Sequence, residues 1–388
     1  MSLPELHIGV IGAGGRGSLA RLAHHPEDGV SLVAGADPDP KAREKFLEKI
    51  PGAFATADYR EVLARDDIAA VFVTSPDFLH EEHAVAALEA GKHVYLEKPM
   101  AITIAGCDRI LRIAYERKRK LYLGHNMRHL DVILTMKRLI DEGAIGEVKV
   151  GWCRHFVGYG GDAYFKDWHA ERSKSTSLLL QKGAHDIDVL HWLCKGYTDR
   201  VVGMGGLTLY DRITDRHDPS ERGDASWHLT NWPPLSQKGL NPIIDVEDVS
   251  MMLMHLDNGV FCSYQQCHYT PDGWRNYTII GAQGRIENLG EDFVALWNER
   301  CNHAAQGQVQ VPIHEVEGGH GGADPRIVAE FVRYVREGGK MTTSPIAARM
   351  SVAAGYQAAM SIRNNSKPMK IPALSKRLVN YFEKDVAK

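Results

Sequence analysis

A cluster of glycines set between an apolar run and a helical segment constrains this chain more than any other feature. His7-Ile-Gly-Val-Ile11 reads as a strand buried on both faces, Gly12-Ala-Gly-Gly-Arg-Gly17 follows at once, and Ser18 to His25 reads as a helix. Glycines at 12, 14 and 17 permit a tight turn, let the backbone approach a pyrophosphate, and allow the helix to pack closely on the sheet. Unpaired N–H groups at the helix start would then face the phosphates. Asp37 lies twenty residues past Gly17, at the end of a second strand, Ser31 to Ala36. A carboxylate there accepts both ribose hydroxyls and repels a 2′-phosphate. The plainer alternatives are a structural glycine turn and a turn aspartate ahead of Pro38. The order strand, glycines, helix, strand, acid favours the nucleotide. Arg16, Lys41 and Arg43 could accept a 2′-phosphate, but Asp37 and Asp39 oppose them, so NAD is expected over NADP.

The alternation continues with a helix (Pro40 to Lys49), a strand (Ala69 to Thr74), a helix (His80 to Ala90) and a strand (His93 to Leu96). This pattern predicts an α/β fold with a parallel, doubly wound sheet. The last strand lies within AGKHVYLEKP, residues 90–99. There Gly91 closes the helix, and Pro99 holds Lys98 in extended geometry at the strand exit. Open α/β sheets place ligands at that edge, so Lys98 is expected to face the cofactor.

With 388 residues the chain exceeds one ordinary core, and two domains are expected: a Rossmann domain over 1–124 and a substrate-binding and oligomerisation domain over 125–388. The net charge of −3 is small and its cations are scattered, which argues against nucleic acid or an acidic membrane as partner. Six dispersed cysteines with no C-x-x-C pair suit a reducing cytoplasm and offer no metal framework. The His7–Ile11 run lacks a cationic start and a long apolar region, so it reads as a strand and not a signal peptide. No apolar stretch reaches 18 residues. His80-Glu-Glu-His83 places two histidines three apart, but spacing supplies no further ligands, and no metal is expected.

From Glu147 onward the period changes to two. Glu147 to Val157, Arg200 to Tyr210, Asp248 to Leu256, Gly259 to His268 and Asn276 to Gly281 read as strands of a mostly antiparallel sheet. Asp257-Asn258-Gly259 is expected to form a type I′ hairpin turn. Asp324-Pro325 is expected to cap a helix running to about Gly338, and Ser344 to Asn364 gives another. Residues 211–241 break the pattern and carry Trp227, Trp232 and Pro233-Pro234. Such a stretch is a lid, an arm docked on a neighbouring subunit, or a surface insertion.

Several segments together resemble the Gfo/Idh/MocA oxidoreductases. They are Gly12–Gly17, Thr74-Ser-Pro-Asp-Phe-Leu-His80, Ala90–Pro99, Gly124-His-Asn-Met-Arg128, Asp141-Glu-Gly-Ala-Ile-Gly-Glu147, Gly183-Ala-His185 and Asp188. The resemblance implies an N-terminal Rossmann domain, a C-terminal α/β domain with a large, open, mostly antiparallel sheet, a nicotinamide cofactor, and a sugar, cyclitol or similar polyol as substrate. It also implies a cis Lys98–Pro99 bond. One departure matters: the family's usual pattern has an acid four residues before the histidine, and this chain has Gln181.

Oxidising a secondary alcohol needs a base for the hydroxyl proton and a cation that favours the developing alkoxide. Lys98 and His185 are the expected catalytic groups. Lys182 is expected to assist by charge, since a second ammonium near Lys98 lowers one lysine's pKa. The expected cofactor contacts are Gly12, Gly14, Gly15, Arg16, Gly17, Asp37, Ser75, Pro76, His80, Glu97, Lys98 and Asn126. The expected substrate contacts are Lys98, Arg128, Trp168, His169, Lys182, His185 and His320. On the expected helix Leu178–Cys194, Leu178, Gln181, His185, Asp188 and Trp192 share a face, Asp188 reads as a structural acceptor, and Asp186 could pair with Lys182. The leading expectation is a cytoplasmic NAD-dependent dehydrogenase acting on CH–OH groups, assembled as a homodimer or homotetramer because an uncovered sheet face is an association surface. Two alternatives stay open: a redox glycosidase that retains NAD with no net oxidation, and a non-catalytic NAD or sugar sensor.

Overall fold

The structure is a computed structural model that describes residues 5–385 except 222, 291 and 314–317. Its chain divides into two compact units, one comprising Met1–Leu130, Val316–Arg349 and Ala373–Lys388, the other Asp131–Glu315 and Met350–Pro372. The sequence suggested one cut, at 124/125. The contacts show instead that two later segments return to the first unit.

The first unit is built on a six-stranded parallel sheet: β1 (Leu6–Ile11), β2 (Val30–Ala36), β3 (Phe54–Thr56), β4 (Ala70–Val73), β5 (His93–Leu96) and β6 (Leu121–Leu123), in the order β3-β2-β1-β4-β5-β6. The chain order reverses beside β1, which creates the switch point where such sheets bind ligands. β3 escaped the sequence reading because it is three residues long and lies at the edge. Its helices start with local caps: Asp39 accepts from Lys41 N ahead of Pro40–Lys49, and Thr103 accepts from Gly106 N ahead of Ile104–Arg117. The helix expected from Ser18 to His25 is a 3₁₀ helix over Gly15–Ala23, starting three residues earlier.

Three aromatics pair across adjacent strands, Phe72 with Tyr95 and Tyr95 with Tyr122. Phe331 closes over them, with ring centroids 5.1 Å from Phe72 and 5.5 Å from Tyr95. Phe331 belongs to the helix Ala323–Glu337, so this late element completes the core of the first unit. Lys120 Nζ donates to the carbonyls of Tyr334 and Val335 at its C-terminal end. Asp324 does not cap this helix. Gly322, at φ 78°, takes that place, and Asp324 is turned to another task.

The second unit carries a nine-stranded sheet. Its strands are β7 (Val148–Phe156), β8 (Thr198–Gly206), β9 (Val249–Leu256), β10 (Phe261–Cys267), β11 (Trp274–Gly281), β12 (Gly284–Asn288), β13 (Phe293–Trp297), β14 (Val309–Pro312) and β15 (Met369–Lys370). Their order is β14-β13-β12-β11-β7-β10-β9-β8-β15. Every pair is antiparallel except β7 with β10, so the sheet is mixed. One face is covered by the helices Gly183–Cys194 and Pro345–Arg363. The latter approaches so closely that a Cβ on Gly203 would lie 2.4 Å from the Ala358 carbonyl oxygen. The opposite face exposes Met204, Met251, Leu253 and Phe261.

Between β9 and β10 only Gly259 has positive φ, at 84°, and Gly259 N bonds to Leu256 O while Leu256 N bonds to Val260 O. That is a type I turn followed by a glycine bulge, because Asp257 and Asn258 stay at the negative φ that type I allows. The expected Leu178–Cys194 helix is interrupted at Lys182, giving Leu178–Gln181 and Gly183–Cys194. Described parts of the 211–241 stretch are folded onto the unit. Ile213 and Leu240 enter its core, while Trp227 (60 % exposed) and Trp232 (46 %) remain outside it. Among the described residues no helix is long and apolar enough to cross a membrane.

If the helix Ala323–Glu337 completes the first unit's core, Phe331→Ala should destabilise the protein by about 3–5 kcal/mol, as deleting a buried aromatic does. Urea unfolding followed by circular dichroism reads this directly, and an unchanged midpoint would contradict the assignment.

Candidate active site

At the exit of β1 the glycines do separate jobs. Gly12 has φ 86°, and a Cβ on it would lie 2.7 Å from Ser75 N; a Cβ on Gly17 would lie 2.0 Å from the Gly12 carbonyl oxygen. Gly14 is less confined by its neighbours, and its N–H donates to Asp37 Oδ2 at 2.9 Å. Asp37 thus stands half-exposed at the end of β2, close against the loop. This cradle fits a dinucleotide: bare backbone at Gly12 and Gly14 for the phosphates, and a carboxylate beside it for the ribose.

Arg16 extends from this loop into a clamp that sequence reasoning missed. Its Nε donates to Glu97 Oε1 at 2.8 Å, and its two terminal nitrogens donate to Asp324 Oδ2 and Oδ1 at 2.7 and 2.9 Å. Glu97 Oε2 accepts from Lys98 N at 3.0 Å. Asp324 also accepts from Asn126 Nδ2 at 3.2 Å and meets His320 Nδ1 at 2.8 Å. Burial opposes charge on Asp324, yet His320 and Arg16 hold its carboxyl well below the usual carboxylate range. The clamp joins the exits of β1, β5 and β6 to the returning helix. The side chain expected at a phosphate is therefore committed to two carboxylates.

The remaining first-unit candidates sort by environment. Lys98 is half-buried behind a cis bond to Pro99. His80 is buried, its nitrogens 2.8 Å from the Ser75 carbonyl and 2.7 Å from that of Pro99, so it braces the β4 and β5 exits. Ser75 Oγ pairs with His83 Nδ1 at 2.8 Å, and Pro76 starts the turn Asp77–Leu79. Arg128 is buried and donates to Thr342 O at 2.7 Å. His320, at φ 50°, turns to Asp324. Gly15, at φ 45°, has open space around it.

In the second unit, Lys182 sits at the helix interruption, buried, and donates to Tyr159 Oη at 2.8 Å. Its ammonium lies 5.2 and 5.3 Å from the ring centroids of Tyr159 and Tyr164. His169 packs edge-on to Tyr164 and stacks on Trp168 at 3.7 Å. Lys182, His169 and Trp168 are therefore brought together around two tyrosines that the sequence reading did not select. Tyr159-Gly160-Gly161 signals a close approach, and a Cβ on Gly160 would lie 2.2 Å from the His268 carbonyl oxygen. His185 stands half-buried one turn further along, with Gln181 and Asp188 buried on the same helix.

Asp186 is the anchor of that helix. It is fully buried and is met by Arg275 at 3.1 Å, His155 at 3.0 Å, Tyr264 at 2.9 Å and Tyr277. The cation that reaches it comes from β11 and not from Lys182, because a buried carboxylate needs partners converging from several elements. Burial opposes its charge, but Arg275 and His155 hold the carboxyl well below the usual range; burial in turn pushes His155 down to about 4.

Both units have known counterparts. Residues 6–125 match the family model described as "Oxidoreductase family, NAD-binding Rossmann fold", and residues 137–371 match "Oxidoreductase family, C-terminal alpha/beta domain". The chain is 28 % identical over 289 residues to the 1-carboxy-3-chloro-3,4-dihydroxycyclohexa-1,5-diene dehydrogenase of Comamonas testosteroni, covering 74 % of this chain and 62 % of that protein. It is 35 % identical over 193 residues to an inositol 2-dehydrogenase of Klebsiella pneumoniae, covering 49 % of this chain and 54 % of the relative. The matches thus span little more than half the length of these relatives. A levoglucosan dehydrogenase solved with NADH and L-sorbose has the same fold, with a TM-score of 0.77 at 20 % identity over 95 % of this chain and 100 % of the other. Fold and loop define a dinucleotide-binding Rossmann protein with an appended α/β domain. The chain belongs to the Gfo/Idh/MocA oxidoreductase family.

Burial sets a pH dependence. His83, His93 and His155 sit at about 4 in the folded protein, against an ordinary 6.5. Between those values the unfolded chain binds protons that the folded one refuses, so stability rises with pH. Asp324 and Asp186 add stability that is present above the ordinary carboxylate range and lost as pH falls below it. The urea midpoint should therefore fall from pH 7 to pH 5, and His93→Gln should shrink that fall; a midpoint that is flat or higher at pH 5 would contradict the burial argument.

Proposed function

We propose that the protein is an NAD-dependent dehydrogenase that oxidises a hydroxyl, or reduces the matching keto group, of a sugar, glycoside or cyclitol. The observation that carries this reading is the wiring of Lys98: its main-chain N–H is held by Glu97, which Arg16 of the glycine loop holds in turn. The lysine's backbone is thereby referenced to the loop that cradles the cofactor. Gly12, Gly14 and Asp37 hold the dinucleotide, and NAD is favoured over NADP because Asp37 stands at the ribose position while Arg16 is already spent on two carboxylates. When bound, NAD supplies the hydride acceptor.

Lys98 orients the hydroxyl and takes its proton, His185 relays that proton, and Lys182 stabilises the developing alkoxide by charge. The second unit supports a polyol. Tyr159, Tyr164 and Lys182 offer hydrogen-bonding groups, and the Trp168–His169 stack offers an aromatic face of the kind that packs on a sugar ring. The inositol 2-dehydrogenase relative supports that substrate class, as does the levoglucosan dehydrogenase of the same fold. The same proposal includes a homo-oligomer, supported by the exposed Met204, Met251, Leu253 and Phe261 on the open sheet face, and a reducing compartment, supported by six free cysteines. Gln181, in place of a charged residue, keeps a redox glycosidase as the second reading.

The test is a panel of cyclitols, aldoses, anhydrosugars and aryl glycosides with NAD or NADP, following absorbance of the reduced cofactor and thin-layer products together. Turnover of a polyol with NAD is expected, falling about 10²–10⁴-fold in Lys98→Met, the usual worth of a positioned acid or base. Undiminished turnover in Lys98→Met would remove the mechanism, and glycoside cleavage without net reduction would select the second reading.

A further inference from the structure

His268 directly follows β10 and is held firmly by its main chain. Its N–H donates to Asp248 O at 3.0 Å, and its carbonyl accepts from Tyr210 Oη at 2.8 Å. Gly160 presses from above, close enough that a Cβ there would lie 2.6 Å from His268 Cβ. The side chain is wholly buried, at 0 % exposure, yet neither Nδ1 nor Nε2 has a hydrogen-bond partner among the described residues.

That state is unusual, because buried polar atoms are nearly always paired and leaving them unpaired costs free energy. The contrast lies within the same unit. His155 is equally buried and bonds to Asp186 and Tyr264. The surroundings of His268 are those of the polar cluster: Tyr164 packs edge-on at 5.3 Å, Phe165 lies at 6.1 Å, and Lys182, His155 and His169 are near enough to act on its charge. Burial holds the imidazole well below its ordinary pKa, and His155 and Lys182 add to that effect. The ring is therefore neutral, with one N–H and one lone pair. A carboxylate or phosphate only accepts and would match one nitrogen. A hydroxyl both donates and accepts and matches either.

We propose that His268 is a substrate-binding residue, its two ring nitrogens pairing with hydroxyl groups of a polyol, one as donor and the other as acceptor, directly or through one ordered water. This rests on the polyol reading above and deepens it. It makes the cluster Lys182, Tyr159, Tyr164, His169 and His268 a reader of a neutral, polyhydroxylated ring, with Lys182 donating and His268 filling both roles.

The experiment compares wild type, His268→Phe and His268→Asn on whichever of myo-inositol and levoglucosan the wild type oxidises better with NAD. It is paired with calorimetric titration of that polyol into NADH-loaded protein, NADH fluorescence titration and urea unfolding. His268→Phe keeps a ring but no polar atom, and should raise the polyol KM at least tenfold while NADH affinity stays within twofold. His268→Asn keeps a donor and an acceptor and should recover most of that loss. An unchanged KM in His268→Phe overturns the assignment, as does an equal rise in both variants accompanied by an equal drop in unfolding midpoint, which marks a packing role. If wild type turns over a polyol while the variants behave alike, His268 alone is refuted. If wild type neither binds nor oxidises either polyol, the polyol reading itself falls and His268 with it.

Discussion

Arg16 is the point through which the first unit is tied together. One guanidinium, projecting from the glycine loop, donates to Glu97 beside Lys98 and to both oxygens of Asp324 on the returning helix. A bidentate guanidinium–carboxylate pair fixes orientation as well as distance, and lysine could not replace it. Burial makes these charges costly to hold, pairing offsets that cost, and removing one leaves a carboxylate stranded. The glycine loop, the strand exit that presents Lys98, and Asn126 after β6 thereby share one frame.

The second unit solves a parallel problem with a different device. Its sheet supports the helix that carries His185 and ends at the Lys182 interruption, and it fixes that helix through one buried carboxylate. Arg275, His155, Tyr264 and Tyr277 converge on Asp186 from three strands. With the helix pinned at its first turn, Lys182 projects to Tyr159 and Tyr164 rather than to solvent. The polar cluster is thus assembled from side chains that come off the end of β7, the helix interruption and the end of β10.

How much of this could be read from the residues alone depends on how local the cause is. The glycine loop, the strand His93–Leu96 and the exit lysine were legible because turn geometry and strand period act over a few residues, and the alternation of strand and helix fixes the parallel sheet. The motif resemblance carried the family and the second sheet. What escaped is long-range. Asp324 looked like a helix cap because Asp-Pro is a cap signal, whereas its partner Arg16 lies 308 residues away. The helix Ala323–Glu337 carries an amphipathic pattern that says it packs, but not on which unit. Tyr159, Tyr164 and His268 have no motif, and their meeting is decided by β10 pairing parallel to β7, a register that no hairpin signal specifies. The interruption at Lys182 was hidden because its flanks keep helical spacing.

The account stands on the clamp acting as the reference frame for cofactor and lysine. The most direct measurement is NADH fluorescence titration of Arg16→Met alongside its turnover, with circular dichroism confirming the folded state. The account predicts at least tenfold weaker NADH binding together with a larger fall in kcat, since Lys98 loses its registration. A folded Arg16→Met protein with wild-type NADH affinity and wild-type kcat would contradict it.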